Sequence, residues 1–367
     1  MTNTHTEADD IIRNRTGDGR FRETENIMWN EEKLDAMLTN PSPALIEDMK
    51  RIKGDIMVMG AGGKMGPTLS ILVKKAIEAA GIGDKQRVIA VSRFTDPLAS
   101  ALLNDSGVET ISCDLLDSAQ RSKLPQVENI IFMAGRKFGT AGGENLTWAM
   151  NSSLPTFVAE QFSGSRFTVF SSGNIYPIVP LSSGGSSERD PIGPIGEYTM
   201  SCLARERAFR YAAEKWGTKV LIFRLNFAVD LRYGVLCDMA NKILAGEPID
   251  LSTPCLNCIW QGSANEFAIR SLLYAESPAK ILNVTGPETV SIARAATLLG
   301  EYLGRKPVFE GTPGNDAYLS DSSEAVDLMG YPAYGIRTLI RWQAEWLLDG
   351  GRQLGKPTHF EERKGSY

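Results

Sequence analysis

The composition is that of an ordinary globular protein, with 367 residues of which 43% are hydrophobic and 23% charged. The formal net charge of −5 argues against a nucleic-acid-binding protein, because such proteins carry a basic surface that displaces the counterions of the phosphates. No apolar run approaches the roughly 18 residues that span a bilayer, and the N-terminus lacks the apolar core of a signal peptide. We therefore expect a cytoplasmic protein without membrane contact.

A change in composition near residue 55 separates an N-terminal stretch from the rest of the chain. This stretch is polar and mixed in charge, with one short helix expected where Ser42 precedes Pro43. From Asp55 onward, short β-rich runs alternate with helical stretches, which is typical of βαβ units in a parallel sheet. We predict an α/β fold, a Rossmann-type doubly wound parallel sheet with a smaller C-terminal substrate-binding subdomain. Its predicted parts are an N-terminal arm outside the core (1–54), the dinucleotide-binding domain (55–230, to which 259–286 return), the substrate-binding cap (231–258 and 287–355) and a tail (356–367).

The stretch "DIMVMGAGGKMG" is the clearest motif in the chain. An apolar strand ends at a glycine, three more glycines follow, and a helix begins at once. Glycine lets the backbone bend sharply and approach a pyrophosphate, and the N-terminus of the helix offers unpaired amides and the positive end of its dipole. A second strand ends about 30 residues later, which is the spacing of one βαβ unit. We predict a dinucleotide-binding turn, the alternative being a tight turn without a ligand; its residues are Gly60, Gly62, Gly63, Met65 and Gly66.

The end of the second predicted strand selects the nucleotide, because an acid there accepts hydrogen bonds from the adenosine ribose and repels a 2′-phosphate. Ser92 and Arg93 occupy this position, and a guanidinium can pair with a 2′-phosphate, so NADP is favoured over NAD. NAD stays open, since Arg93 would also serve as a solvated surface charge and Asp96 is close by. Asp114 ends the third strand, either as an acceptor for the adenine amine or as a loop aspartate that caps a helix.

The five cysteines are scattered along the chain, which suits reduced thiols better than a disulfide framework. Cys255 and Cys258 form a CxxC pair, but no second pair and no nearby histidine completes a zinc site. We therefore predict two buried thiols and no metal.

Five further stretches follow a recognisable pattern between residue 55 and about residue 348. They are "FMAG" (132–135), "AMNSSLPTFVAEQ" (149–161), "FSSGNIYP" (170–177), "EYTMSCLARER" (197–207) and "ILNVTGPETVSIARAATLLGEYLG" (281–304). With the glycine turn, they resemble the extended short-chain dehydrogenase/reductases, the NAD-dependent epimerase/dehydratase family. The resemblance implies that Ala134 and Gly135 flank the nicotinamide and that Asn151 opens the next helix beside the cofactor. It also implies a homodimer that pairs through the helices after Asn151 and around Tyr198.

The resemblance also implies the catalytic groups. Ser172 would hydrogen-bond the substrate oxygen, and Tyr198 would exchange the proton of the hydroxyl. A phenol with a pKa of about 10 is a poor base at neutral pH and needs a nearby cation, which the family supplies as a lysine four residues after the tyrosine. This sequence has Cys202 there. Lys137, or Arg136 beside it, is the expected substitute, because both follow the fourth strand where the chain turns toward the nicotinamide; the alternative is a solvated pair of loop cations.

The function that the resemblance implies is an NAD(P)-dependent oxidoreductase or an epimerase/dehydratase. It would act on a hydroxyl or carbonyl of a small polar substrate, such as a sugar, a sugar acid or a nucleotide sugar. The alternative is a dinucleotide-binding sensor or scaffold protein, since Cys202 replaces the family lysine. Four polar residues are expected to orient the substrate, although each would serve equally as a structural hydrogen-bonding residue; they are Asn174, Arg224, Asn226 and Arg232.

Overall fold

The structure, a computed structural model, describes residues 28–137 and 139–365. Its centre is the predicted parallel sheet, and short strand pairs lie around it. In chain order, the strands are β1 (Ile56–Met59), β2 (Val88–Ser92), β3 (Glu109–Ser112), β4 (Asn129–Phe132), β5 (Arg166–Ser172), β6 (Val179–Pro180), β7 (Lys219–Leu225), β8 (Ala228–Val229), β9 (Pro248–Asp250), β10 (Cys255–Leu256), β11 (Ile259–Trp260), β12 (Lys280–Val284), β13 (Val290–Ser291), β14 (Val308–Glu310) and β15 (Asp316–Ala317).

The central sheet has seven parallel strands in the order β12–β7–β5–β4–β1–β2–β3. The strand order reverses between β1 and β4, which is the switch point where doubly wound sheets hold their ligands. Met59 of β1 is in register with Val91 of β2 and with Phe132 of β4. The carboxyl ends of these three strands therefore meet at one edge of the sheet.

Helices cover both faces of the sheet, as the alternating pattern predicts. Successive residues of β1 point to opposite faces of the sheet. Ile56 contributes to the core under the helices Gly66–Ala79 and Gln261–Arg270. Met57 contributes to the core on the other face, under the helices Leu154–Gln161 and Glu197–Trp216. In the described part of the chain, no helix is long and apolar enough to cross a bilayer. The α-helices are α1 (Glu31–Leu38), α2 (Pro43–Met49), α3 (Gly66–Ala79), α4 (Pro97–Asp105), α5 (Ser118–Arg121), α6 (Glu144–Trp148), α7 (Leu154–Gln161), α8 (Glu197–Trp216), α9 (Val235–Ala245), α10 (Gln261–Arg270), α11 (Ile292–Leu303), α12 (Ser323–Met329) and α13 (Ile336–Leu348).

Residues 28–54 are part of the core, in contrast to the arm that the sequence predicts. Leu34 and Leu38 of α1 are buried in the cap against α9, α11 and α13, together with Trp29. Helix α2 is capped by Ser42 as predicted and packs on the sheet domain. Each of the two helices buries a narrow apolar stripe within polar sequence, which is why composition alone places them outside. Residues 1–27 of the predicted arm lie outside the described residues.

Arg232 anchors α1 and does not serve as the predicted substrate ligand. Its Nη1 lies 2.9 Å from carboxylate oxygens of both Glu31 and Asp35, and its Nη2 lies 2.9 Å from Asp230. The guanidinium is buried, and burial disfavours its charge, but the three carboxylates outweigh this effect and raise its pKa. A guanidinium with three carboxylate partners is already satisfied within the chain, so Arg232 is not left to bind a substrate as predicted.

The C-terminal residues also depart from the prediction of a tail. From residue 352 to residue 365 the chain runs back across the cap and reaches the start of α8. Phe360 is buried in the core of the cap, and Lys242 of α9 pairs with Glu361 at 2.6 Å. Residues 366–367 lie outside the described residues.

Candidate active site

The predicted glycine turn connects β1 to α3 at the switch point of the sheet. Gly60 has a φ of +95°, and a Cβ there would lie 2.6 Å from the backbone nitrogen of Ala134. A Cβ on Gly66 would lie 2.4 Å from a carbonyl oxygen of the turn itself, whereas one on Gly63 would meet its nearest atom at 3.4 Å. Met65, the N-cap residue of α3, makes no capping hydrogen bond with its side chain. Close backbone packing therefore fixes the turn, and no side chain caps the first amides of α3.

Ser92 and Arg93 lie beside this turn at the end of β2. A Cβ on Gly62 would lie 2.6 Å from the Oγ of Ser92, so the serine lines the turn. Arg93 is exposed. Asp114 follows β3, and its Oδ1 accepts a hydrogen bond from the backbone nitrogen of Leu116 at 3.0 Å, which closes a local turn. A different aspartate caps α5, so the helix-capping role considered for Asp114 is not the one it has.

Asn151 ties the loop after β4 to helix α8. It is fully buried in a π-helical turn (Ala149–Ser153) that precedes α7. Its Oδ1 accepts hydrogen bonds from the Arg136 backbone nitrogen at 2.8 Å and from Arg205 Nη2 at 2.7 Å, and its Nδ2 donates to the Arg136 carbonyl at 2.8 Å and to Ser201 Oγ at 2.9 Å. Both donors and both lone pairs of the amide are thus used within the chain. The predicted cofactor contact is corrected, because Asn151 holds the loop in place and has no capacity left for a ligand.

Arg205 lies two helical turns beyond Tyr198 on α8, a separation that on sequence grounds argues against direct contact with the tyrosine. It is buried, and its Nη1 donates a hydrogen bond to the carbonyl of Phe170 at 2.8 Å. A Cβ on Gly135 would lie 2.2 Å from Arg205 Nη2. The glycine at 135 therefore leaves the space that lets this guanidinium reach Asn151.

Tyr198 lies in the first turn of α8 and packs against Ile175 and Tyr176. Its hydroxyl and the thiol of Cys202 are joined by a hydrogen bond. Burial raises the pKa of Cys202, and the Arg205 charge and the Tyr198 hydroxyl only oppose this shift. The thiol is therefore neutral at pH 7, and Cys202 is a packing residue and not a cation.

Ser172 ends β5 and leads into a 3₁₀ turn (Gly173–Ile175). Its Oγ accepts a hydrogen bond from the backbone nitrogen of Asn174 at 3.2 Å, and both residues are buried. The serine hydroxyl thus retains its own proton to donate. The same turn supplies Ile175, which belongs to the apolar cluster that Tyr198 packs against, so Ser172 lies three residues from that cluster.

The two candidate cations have different surroundings. Lys137 Nζ lies 5.8 Å from the centroid of the Tyr198 ring. Arg136 instead donates from Nη2 to a carbonyl of its own loop at 2.6 Å. Burial lowers the pKa of Lys137 to about 8, and the charge of Asp238 opposes the shift. Lys137 is therefore the cation beside the tyrosine, and it is mainly protonated at pH 7.

Two further charged residues near this cation were not predicted. Lys64, within the glycine turn, has its Nζ 3.2 Å from the centroid of the Tyr233 ring. Burial lowers the pKa of Lys64 to about 7, and the charges of Lys356 and Lys137 lower it as well. Asp238, in the first turn of α9, is the acid near them, and burial raises its pKa. The lysine inside the glycine turn was a visible signal, whereas Asp238 becomes recognisable only through the fold.

Arg224 and Asn226 differ in whether their side chains keep a hydrogen-bonding atom for a ligand. Arg224 is buried, with Nη2 2.7 Å from Glu206 Oε2, and its Nη1 donates to the Tyr176 hydroxyl at 2.5 Å. It partners a buried carboxylate, which corrects the predicted substrate contact. Asn226 donates from Nδ2 to Asn257 at 2.8 Å, but its buried Oδ1 accepts no hydrogen bond from the described residues. Asn226 therefore keeps an acceptor for a ligand.

The two cysteines of the pair differ in exposure, because Cys258 is buried as predicted whereas Cys255 is partly exposed. Burial raises the pKa of Cys255 and raises that of Cys258 to about 12. Within residues 28–137 and 139–365, no group of three or more histidine, cysteine, aspartate or glutamate side chains is arranged to hold a metal ion.

Comparison with solved structures finds the same fold in two UDP-sugar epimerases and in a third enzyme that is bound to NAD. UDP-glucuronic acid 4-epimerase from Bacillus cereus in complex with NAD matches with a TM-score of 0.65 and 16% identity, over 80% of this chain and 98% of the other. A UDP-galactose 4-epimerase matches with a TM-score of 0.63 and 20% identity, over 81% and 99%. The Bordetella bronchiseptica enzyme WbmG in complex with NAD matches with a TM-score of 0.65 and 18% identity, over 83% and 97%.

Sequence comparison adds one curated relative and one family. A ribonucleoside-diphosphate reductase large subunit from Trypanosoma brucei brucei is 33% identical over 119 residues, a match that covers 32% of this chain and spans 13% of the relative's length. The model of the NAD dependent epimerase/dehydratase family matches residues 56–280. That range runs from β1 to the start of β12 and contains the glycine turn, Ser172 and Tyr198. The family and the NAD-bound neighbours support NAD as the cofactor. They give no support to a preference for NADP, and they do not favour a sensor without catalysis. The chain belongs to the NAD dependent epimerase/dehydratase family of enzymes.

Proposed function

We propose that the protein is an NAD-dependent epimerase or dehydratase that acts on a nucleotide sugar or a sugar acid. The observation that carries this proposal is the position of Lys137, whose ammonium lies 5.8 Å from the Tyr198 ring centroid. A tyrosine with a neighbouring cation can exchange a proton with a substrate hydroxyl near neutral pH. The substrate class comes from the structural neighbours, which include epimerases of UDP-glucuronic acid and UDP-galactose.

The residues of the glycine turn suit a dinucleotide. The uncapped N-terminus of α3 faces the turn and favours an anion such as a pyrophosphate. Gly63 has room on its open side, since an added Cβ would meet its nearest atom only at 3.4 Å. Ser92 and Arg93 would contact the adenosine ribose, and Asp114 the adenine, while Ala134 and Gly135 would flank the nicotinamide. The chemistry that a bound NAD would supply here is reversible hydride transfer with the substrate carbon.

The chain's own residues would handle the proton and hold the substrate. Tyr198 would take the proton of the reacting hydroxyl, and the Lys137 ammonium would stabilise the resulting phenolate. Ser172 would donate its free hydroxyl proton to the substrate oxygen. Asn226 would accept a hydrogen bond from a sugar hydroxyl through its buried Oδ1, and Asn174 lies in the same turn as Ser172.

The test identifies the bound cofactor and measures turnover in the same protein preparation. We expect protein purified without added nucleotide to release NAD on denaturation, because an enzyme that regenerates its cofactor within each cycle has no need to release it. We also expect it to interconvert UDP-glucuronic acid or UDP-galactose with its C4 epimer, or to dehydrate such a substrate, without added cofactor, as followed by NMR. Protein that binds neither NAD nor NADP would contradict the dinucleotide site. Turnover that consumes added NADPH would instead indicate a reductase.

We further propose that the protein is a homodimer that pairs through α7 and α8. Phe157 of α7 and Met200 of α8 are large apolar side chains that are 43% and 45% exposed, so each helix presents apolar surface to a partner. Placing a charge there with Phe157→Glu should dissociate the dimer, as measured by light scattering during gel filtration. Leu98→Glu, at a 77% exposed position on α4, is the matched control and should leave the mass unchanged. A parent protein that elutes as a monomer would disprove the pairing.

A further inference from the structure

The last described stretch of the chain, residues 352–365, crosses the candidate active site; we call it the C-terminal segment. It is held at several points along its length by both the cap and the sheet domain. Its anchors are Leu354 with Arg232, Thr358 with Asp238, Glu361 with Lys242, Arg363 with Asp316, and Gly365 with the backbone of Ile195 and Gly196.

The segment ends against the start of the tyrosine helix. Gly196 has a φ of +84° and is the N-cap residue of α8, two positions before Tyr198. Gly365 has a φ of +82°. A Cβ on Gly196 would lie 2.3 Å from the carbonyl oxygen of Gly365, and one on Gly365 would lie 2.2 Å from the carbonyl oxygen of Ile195. Only two glycines permit this contact, which holds the segment directly beside the helix that carries the tyrosine.

Thr358 joins the segment to the cation of the site. It is buried, and its backbone nitrogen and Oγ donate hydrogen bonds to Asp238 Oδ2 at 2.7 Å and 2.6 Å. Its carbonyl oxygen accepts a hydrogen bond from Lys137 Nζ at 3.4 Å. A chain of contacts thus runs from Asp238 through Thr358 to the ammonium of Lys137, which lies beside Tyr198.

We propose that the C-terminal segment is part of the active site and that Thr358, fixed by Asp238, positions Lys137 against Tyr198. This inference rests on the proposed function, in which Lys137 replaces the lysine that would stand at position 202. The helical backbone sets the starting direction of a lysine side chain on a helix. Lys137 lies instead on a loop, and its side chain has the four rotatable bonds of any lysine. A partner from another part of the chain is therefore needed to hold its ammonium in one place.

The charges around Lys137 determine how this arrangement responds to pH. Burial lowers the pKa of Lys137 to about 8, and Asp238 opposes the shift. Because the proposed role requires the ammonium form, turnover should fall as the pH rises through about 8. We call this fall in turnover the alkaline limb of the pH profile. Releasing the segment would hydrate Lys137 and raise its pKa, so the limb would move to a higher pH. Removing the charge of Asp238 would lower the pKa of Lys137, so the limb would move to a lower pH. The other titratable or charged groups that face this cluster are Tyr198, Cys202, Lys64, Lys356, His359, Tyr233 and Cys237.

The experiment compares full-length variants by kcat, KM and the pH dependence of kcat. Thr358→Pro removes both hydrogen bonds to Asp238, and we expect kcat to fall by about ten- to a hundredfold with KM little changed. Its alkaline limb should move toward about 10, the value of a hydrated lysine. Thr358→Val removes only the hydroxyl and should give a smaller change in the same direction. Asp238→Asn should move the limb below that of the parent, and Glu324→Gln, which breaks a comparable ion pair with Lys280 outside the segment, is the control expected to change neither kcat nor the limb.

Lys137→Met separates this inference from the proposed function. If Lys137→Met is inactive while both Thr358 variants match the parent in kcat and pH profile, the positioning role is wrong and the proposed function stands. If Lys137→Met retains full turnover, the proposed cation and the inference built on it both fall. A Thr358 variant with a higher kcat/KM than the parent would also overturn the proposal, because the segment would then obstruct the site.

Discussion

Replacing Tyr198 with phenylalanine should abolish most turnover and leave NAD bound. The substitution removes the hydroxyl that exchanges the proton and keeps the ring that packs on Ile175 and Tyr176. General acid–base groups contribute about 10²–10⁴-fold to rate, and we expect kcat to fall by this factor. The measurement is initial-rate kinetics together with quantification of the dinucleotide released on denaturation.

Tyr211→Phe is the matched control for this prediction. Tyr211 lies on the same helix and is 54% exposed, so loss of its hydroxyl should leave kcat unchanged. If Tyr198→Phe retained turnover within about threefold of the parent, a different acid would have to carry the proton, because even a modest general acid–base contribution exceeds this factor. In that case, Lys137 itself would be the next candidate.

Replacing Glu206 with glutamine should lower the free energy of unfolding by about 3–5 kcal/mol. Glu206 and Arg224 form an ion pair with side chains 0% and 3% exposed, with Nη2 2.7 Å from Oε2. Glutamine keeps the size of the side chain and removes its charge, which leaves the Arg224 guanidinium buried without a counter-ion. Ser171 Oγ also donates to Glu206 Oε1 at 2.6 Å, so the same change weakens the strand that ends at Ser172. Urea unfolding followed by circular dichroism gives the difference.

Two further variants decide whether burial is the cause. Glu47→Gln breaks the exposed pair with Lys50 and should cost less than about 1 kcal/mol. Combining Glu206→Met with Arg224→Met should recover part of the loss, because the uncompensated charge is then absent. A Glu206→Gln protein as stable as the parent would show that the pair contributes nothing to stability.

The sequence predicts the sheet well because its strands are apolar and short, and punctuated by glycine and polar turns. The residues of β1 and β4 are all buried, so a continuous apolar run marks each of them. The glycine turn is equally visible, since a Cβ at Gly60 or Gly66 would collide with backbone atoms and only glycine fits there.

Residues that act through distant partners could not be assigned in this way. Arg224 and Arg232 have the same chemistry whether they meet a substrate or a carboxylate of their own chain, and only the fold brings Glu206 or Glu31 to them. The C-terminal segment carries no periodic pattern, because Thr358 is held by individual hydrogen bonds and not by an apolar face.

The burial of Cys202 limits how the family's arrangement could have been exchanged for this one. A lysine at position 202 would enter space that is 0% exposed and packed against Ile175 and Tyr176. It would also bring a second ammonium close to Lys137, and like charges in a buried site disfavour each other. The two placements of the cation thus exclude one another within one protein.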